Sequence, residues 1–144
     1  KNVPENLKGL RTMFLSFHHF QPKNAKMILQ NAINSNQPIA VLEIQDRSLP
    51  SIVAMLLSPV SVLFTTPFIR PFRWSRLFFT YLIPIVPFVV LWDGIVSALR
   101  TYTVEEMRNL INSLENNTAF EWNFNKKKLK KGFVIYTIGI PKKQ

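Results

Sequence analysis

Two adjacent histidines, His18 and His19, are the residues best suited to chemistry in this sequence. They lie near the end of the apolar stretch TMFLSFHHF, residues 12–20, which predicts a β-strand. A neutral histidine is the side chain that titrates near neutral pH, so either residue can serve as a general base. Adjacent residues of a strand point to opposite faces, and the chain has no cysteine, so we predict no metal site. The alternative is one packed histidine and one at the rim of the sheet.

A second group of polar residues follows the apolar stretch PIAVLEI, which predicts a strand over residues 38–44. Glu43 and Arg47 are candidate substrate-binding residues there, because charged groups can orient an amine or hydroxyl acceptor. A solvated turn at Asp46–Arg47, with Glu43 in a local salt bridge, is the alternative.

A third group of polar residues recurs at helical spacing. Asp93, Ser97 and Arg100 share one face of a helix predicted over residues 88–101. The other face is apolar and consists of Val89, Trp92, Val96 and Leu99. Such a helix either lines a cavity or pairs its polar residues internally. The candidate pocket-lining residues are Trp92, Asp93, Arg100 and, just beyond the helix, Tyr102.

The elements that position these residues form a crossover unit. Pro22 suits the first turn of a helix over residues 22–35, whose apolar residues recur at helical spacing. Strand, helix and strand in this order predict a parallel α/β sheet. Ligands of such sheets bind beyond the carboxyl ends of the strands, where both His18–His19 and Glu43–Arg47 lie.

The end of the chain predicts a capped helix followed by a hairpin. Thr103 and Glu106 have the spacing of a capping box. Aromatic and polar residues alternate from Phe120, and a second apolar strand follows the charged turn KKKLKKG. We therefore predict an antiparallel β-hairpin over residues 119–141.

Residues 48–101 differ from the rest of the chain. The runs 48–69 and 77–92 carry no charge, and RPFRWSR, with three arginines, separates them. Six prolines predict short helices and turns. Since a membrane span needs about 20 apolar residues, the proline-broken runs favour an apolar helical cap over two spans. We expect residues 48–92 to cover a substrate site or to contact a membrane surface.

These elements together resemble the C-terminal half of a class I S-adenosylmethionine-dependent methyltransferase. TMFLSFHHF resembles that family's fourth strand, PIAVLEIQDR its fifth, and residues 103–141 its last helix and its sixth and seventh strands. LFFTYLIPIVPFVVLWDGIVSALRTYT is similar to an insert in a bacterial subgroup of such proteins. The resemblance implies a partial Rossmann-like doubly wound α/β sheet, with strands in the order four, five, seven, six, over a single partial domain, residues 1–144.

The resemblance implies methyl transfer from S-adenosylmethionine to a small, hydrophobic acceptor in the cytoplasm, at a membrane surface if the insert contacts lipid. It makes His18 and His19 catalytic candidates and places Ser16, Phe17 and His18 beside the cofactor. The family's glycine-rich cofactor loop is missing, since all four glycines are isolated and only eleven residues precede Thr12. We therefore expect a partial sequence or a truncated product that binds the cofactor weakly alone.

Two other functions compete with methyl transfer. The apolar runs also suit a small membrane-associated helical-hairpin protein without enzymatic activity. The net charge of +10 and the seven lysines between Lys126 and Lys143 suit a basic nucleic-acid-binding module. Nucleic-acid recognition would need aromatic side chains beside those lysines, and none is evident in the sequence. We therefore expect a solvated hairpin tip and no nucleic-acid partner. No residue pattern specifies an oligomeric state.

Overall fold

The chain forms two compact units in the computed structural model, which describes residues 3–4, 7–130 and 132–142. Unit 1 consists of Lys1–Gln45 and Thr101–Gln144, and unit 2 of Asp46–Arg100. The apolar insert predicted over residues 48–101 thus corresponds closely to unit 2.

Unit 1 is an α/β unit with a mixed four-stranded sheet, as predicted. Its strands are β1 (Arg11–Phe14), β2 (Ile39–Glu43), β3 (Phe120–Lys128) and β4 (Phe133–Pro141). They lie in the order β1-β2-β4-β3. The β1–β2 pair is parallel, and β2–β4 and β3–β4 are antiparallel.

The parallel half of the sheet is joined by helix α1 (Pro22–Asn34). Its buried residues Ala25, Leu29, Ala32 and Ile33 are spaced at one face of a helix. The helix ends in a Schellman motif, with Asn36 in the left-handed conformation and its N–H donating to Ile33. β2 lies between β1 and β4, and four of its five residues are buried.

The antiparallel half of the sheet is preceded by helix α6 (Val104–Asn112). The predicted capping box is confirmed: Thr103 Oγ1 accepts from the Glu106 N–H, and Glu106 Oε2 accepts from the Thr103 N–H. The predicted hairpin is confirmed over β3 and β4. The residues of α6, α1 and the sheet that form one apolar core are Phe17, Ala25, Leu29, Ala32, Ile33, Ile39, Val41, Met107, Ile111, Leu114 and Phe120.

Gly139 lies under an aromatic ring in this hairpin. It pairs with Trp122, and a Cβ atom at residue 139 would lie 2.5 Å from Trp122 Cζ3. The indole cannot move away freely, because its Nε1 donates to the Asn117 carbonyl at 3.1 Å and its ring stacks on Phe120.

The change Gly139→Ala is expected to destabilise the hairpin by about 1–3 kcal/mol, the usual cost of overpacking. Native-state hydrogen exchange of the β4 amides measures this effect. The matched control is Ile140→Val, since Ile140 is exposed and its change is expected to alter exchange by less than about 0.5 kcal/mol. Equal effects of the two substitutions would contradict the packing argument.

Unit 2 is helical, but its prolines interrupt it less than predicted, because Leu49–Phe68 continue as one helical segment and the helix Ile85–Arg100 contains Pro87. Its helices are α2 (Leu49–Leu56), α3 (Ser58–Thr65), α4 (Trp74–Leu77) and α5 (Ile85–Arg100), with a 3-10 turn at Thr66–Phe68 and a π-helical turn at Phe78–Leu82. Prolines occupy the first turns of α2, α3 and the 3-10 turn. Leu49–Phe68 form one continuous helical segment of 20 residues.

The interior of unit 2 contains small and hydroxyl-bearing residues. Its buried residues are Thr66, Thr80, Pro87, Gly94, Ser97 and Ala98. The large hydrophobic residues are instead exposed, among them Phe64, Phe68, Phe88 and Trp92. Close packing of α5 on α2 depends on Gly94, where a Cβ atom would lie 2.8 Å from the Met55 sulfur.

Candidate active site

The strand predicted over residues 12–20 is wrong beyond Phe14. Leu15 has a left-handed backbone with φ of 50°, and its N–H makes the last bond to β2, at the Leu42 carbonyl. Phe17–His19 then form a 3-10 turn that Ser16 precedes. The argument that His18 and His19 point to opposite faces of a strand therefore does not apply, since their rings lie together with centroids 4.3 Å apart.

The left-handed backbone of Leu15 is an unfavourable conformation for leucine. A left-handed backbone brings the Cβ atom of an L-residue close to the carbonyl oxygen, and asparagine tolerates it better than leucine. Because Leu15 is 46% exposed, Leu15→Asn sacrifices little apolar burial and is expected to raise the free energy of unfolding of unit 1 by about 0.5–1 kcal/mol. Urea denaturation measures the gain. The control Leu10→Asn, at an exposed leucine without a positive φ, should give none; a loss on Leu15→Asn would contradict the prediction.

Glu43 at the carboxyl end of β2 organises this turn. Its Oε1 accepts from the backbone N–H groups of Phe17, at 2.8 Å, and His18, at 3.2 Å. Its Oε2 lies 2.9 Å from His18 Nδ1. Both residues are 5% exposed, so these contacts lie away from water. The two rims predicted separately at His18 and Glu43 are thus one buried cluster.

The contact between His18 Nδ1 and Glu43 fits the tautomer with the proton on Nδ1, because an ionised carboxylate only accepts hydrogen bonds. The neutral imidazole then has its lone pair on Nε2, which is the nitrogen that could accept a proton from a ligand. A carboxylate that orients a histidine in this way is a recurring arrangement of general bases.

Tyr102 packs beside the same turn. Its hydroxyl donates to the Phe20 carbonyl at 2.7 Å, and its ring contacts that of Phe17 with centroids 5.4 Å apart. The side chain therefore connects the start of α6 to the histidine turn. Sequence reasoning placed Tyr102 near a pocket but missed Phe20, because a backbone carbonyl leaves no signal in residue type.

His19 and Ser16 lie at the outer side of the turn. His19 is exposed, and the Ser16 carbonyl accepts its N–H at 3.3 Å. Over the described parts of the chain, histidine, aspartate and glutamate residues form no group of three that could hold a metal ion.

The remaining candidates lie in unit 2. Arg47 donates from Nε to the Leu99 carbonyl at 2.7 Å, and Asp46 accepts from the Ser48 N–H at 3.1 Å at the start of α2. Trp92, Asp93 and Arg100 are exposed on α5. The face predicted for the polar residues is divided, because Ser97 is buried while Asp93 and Arg100 are not.

One of the hairpin lysines contacts an aromatic residue of the same hairpin. Lys126 Nζ lies 4.0 Å from the centroid of the Phe133 ring, a cation–π contact. The following residues, Lys127 and Lys128, are exposed.

Comparisons with known proteins do not assign the chain to a family. No family model, no curated protein and no solved structure matches it.

Proposed function

We propose that this chain is the acceptor-side half of an S-adenosylmethionine-dependent methyltransferase domain, acting on a small, hydrophobic acceptor. The observation that carries the proposal is the sheet order β1-β2-β4-β3, with one parallel pair followed by an antiparallel hairpin. The family that the sequence resembles has strands four, five, seven and six in this arrangement. The His18–Glu43 cluster at the carboxyl ends of β1 and β2 supports it further, because ligands of parallel sheets bind at that rim.

The residues of this chain do not by themselves fit the whole cofactor. Both oxygens of Glu43 are engaged within the histidine turn, so this carboxylate is not free for a ribose. The glycines with positive φ are Gly9, before β1, and Gly132, in the hairpin turn, and neither belongs to a glycine-rich loop. The role that we propose for this chain is therefore limited to the acceptor side.

His18 is the proposed base of the acceptor side. Glu43 holds its Nδ1 proton, so Nε2 can take the proton that an O–H or N–H acceptor loses on methylation. Glu43 is a positioning residue in this proposal, because its contacts fix the ring and the turn. Phe17 and Tyr102 limit the motion of the turn by packing against each other.

Methyl-donor binding tests the proposal. Isothermal titration of S-adenosylmethionine into the longest product of the reading frame that contains this chain is expected to give saturable binding, with S-adenosylhomocysteine competing. The 144-residue chain alone is expected to bind at least ten-fold more weakly, since it lacks the glycine-rich loop. Absence of binding by the longer product would overturn the proposal.

A further inference from the structure

We infer that unit 2 inserts into the surface of an anionic lipid bilayer from one side, without crossing it. The inference is independent of methyl transfer, because lipid binding is measured without a methyl donor. Its first observation is the distribution of burial: the six buried residues of unit 2 include no large hydrophobic side chain, whereas twenty-two such side chains are exposed. Small and hydroxyl-bearing residues between helices and large apolar residues outside are typical of helices packed in lipid.

Three hydroxyls of unit 2 donate to backbone carbonyls of the same unit, whereas the buried hydroxyls of Ser58 and Thr80 have no hydrogen-bond partner among the described residues. Thr65 and Thr66 donate from their hydroxyls to carbonyls one turn earlier, at Ser61 and Val62. The Tyr81 hydroxyl donates to the Leu63 carbonyl. Internal pairing of hydroxyls is what an apolar solvent demands, since an unpaired polar group is costly there.

Most exposed apolar residues of the two longest helical segments follow one stripe on each. In the segment Leu49–Phe68, 11% of the most apolar window is buried. Its exposed apolar residues recur at three- and four-residue spacing and are Leu49, Val53, Leu56, Leu57, Val60, Leu63, Phe64 and Phe68. On α5 the stripe consists of Ile85, Phe88, Val89, Trp92 and Leu99, and Val90 is exposed outside it. An exposed apolar surface of this extent marks a contact with lipid or protein.

Charge placement favours lipid and sets the depth of insertion. Asp93 is exposed on α5, and the uncharged part of α5 before it, Ile85–Trp92, spans about 12 Å, less than half of a hydrocarbon core. The helical pair Trp74–Leu82 and Ile85–Arg100 is also bent by 76°, so it makes no straight span. A charged side chain is costly at the bilayer centre, so α5 does not cross. The segment Leu49–Phe68 is long and apolar enough to cross by itself. We infer that it stays in one leaflet because it packs on α5, where Gly94 meets Met55.

Residues 70–76, which comprise a loop and the start of α4 and are called the arginine loop, supply the anionic preference. Arg70, Arg73 and Arg76 lie there beside Phe72 and Trp74, whose rings meet edge to face at 5.2 Å. Arginine with exposed tryptophan is the composition of a membrane interface, with the cations at the headgroups.

Vesicle flotation of the full chain is the first test. The chain is expected to float with phosphatidylcholine vesicles, to bind more tightly when phosphatidylglycerol is added, and to resist alkaline carbonate. Replacing each arginine of the loop by glutamine should reduce the anionic preference by about five-fold. Release by carbonate would overturn the inference. A stable oligomer that does not bind vesicles would also overturn it, because a second copy would then cover the apolar stripes.

Matched substitutions test which surface binds. The double variant Val53→Glu, Phe64→Glu should weaken vesicle binding by about 100-fold, because both exposed side chains lie on the stripe of Leu49–Phe68. The control Leu10→Glu, Phe14→Glu makes the same kind of change at exposed apolar residues of unit 1 and should leave binding within about two-fold. Equal losses would assign the binding to general hydrophobicity and overturn the inference.

Tryptophan quenching tests the depth of insertion. In single-tryptophan variants with phenylalanine at the other two positions, Trp74 and Trp92, which are 77% and 73% exposed, should be quenched by bromolipids brominated near the glycerol end. Trp122, half-buried in unit 1, should not be quenched. Strongest quenching by bromines at the bilayer centre would show crossing and overturn one-sided insertion.

Discussion

Replacing Glu43 by alanine is expected to lower the free energy of unfolding of unit 1 by about 3–5 kcal/mol, because it leaves three buried donors without an acceptor. These are the N–H groups of Phe17 and His18 and the Nδ1–H of His18. Native-state hydrogen exchange of the β2 amides measures the change and reports on unit 1 alone, which matters in a chain of two units.

Glu43→Gln is the matched variant. It retains an oxygen for the two backbone N–H groups and places an amide N–H₂ against Nδ1, so His18 must adopt the other neutral tautomer. The expected cost is about 1–2 kcal/mol, well below that of alanine. Equal costs for the two variants would show that the volume of the side chain, and not its hydrogen bonds, stabilises the turn.

The spacing of apolar residues predicted the helices of unit 1, because one face of each helix packs on the core and the other faces water. The apolar positions of α1 and α6 fall on one face, and β2 is a central strand with four of its five residues buried. The capping box at Thr103 is a purely local signal, so its prediction required no tertiary information.

The histidine turn could not be predicted in the same way. Nothing in the local residues ends a strand at Phe14, and leucine is a poor residue for a left-handed backbone. The compensation comes from Glu43, whose carboxylate binds two N–H groups of a segment about 25 residues earlier. A tertiary contact of this kind overrides local propensity. The sequence indicates the two residues as candidates but not the contact between them.

The buried face of α5 could not be predicted from its residue types. The sequence predicts an apolar face with Val89, Trp92 and Leu99 but does not specify what covers it. In unit 2 the packed face instead contains Gly94, Ser97 and Ala98. The sequence pattern is the same for either solvent, so only the packing reveals which face is inside.

His18→Asn is expected to lower the rate of methyl transfer by about 100- to 10,000-fold, the usual contribution of a general base, if the proposed function holds. Asparagine keeps the size of the side chain roughly, and its amide can still donate to Glu43, so the turn is retained. The affinity for the methyl donor is expected to stay within about two-fold, since the proposal assigns His18 to the methyl acceptor. Single-turnover rates and titration of the methyl donor, both on the longest product of the reading frame, separate the two quantities.

His19→Asn provides the control for that rate. His19 adjoins His18 in sequence, and the two rings are in contact, but His19 is exposed and Glu43 does not hold it. Its replacement is expected to cost less than about ten-fold, because an unoriented imidazole contributes little as a base. A loss for His19→Asn as large as that for His18→Asn would transfer the base to His19 and leave the His18–Glu43 pair a structural role. An unchanged rate in both variants would remove proton transfer by histidine from the mechanism.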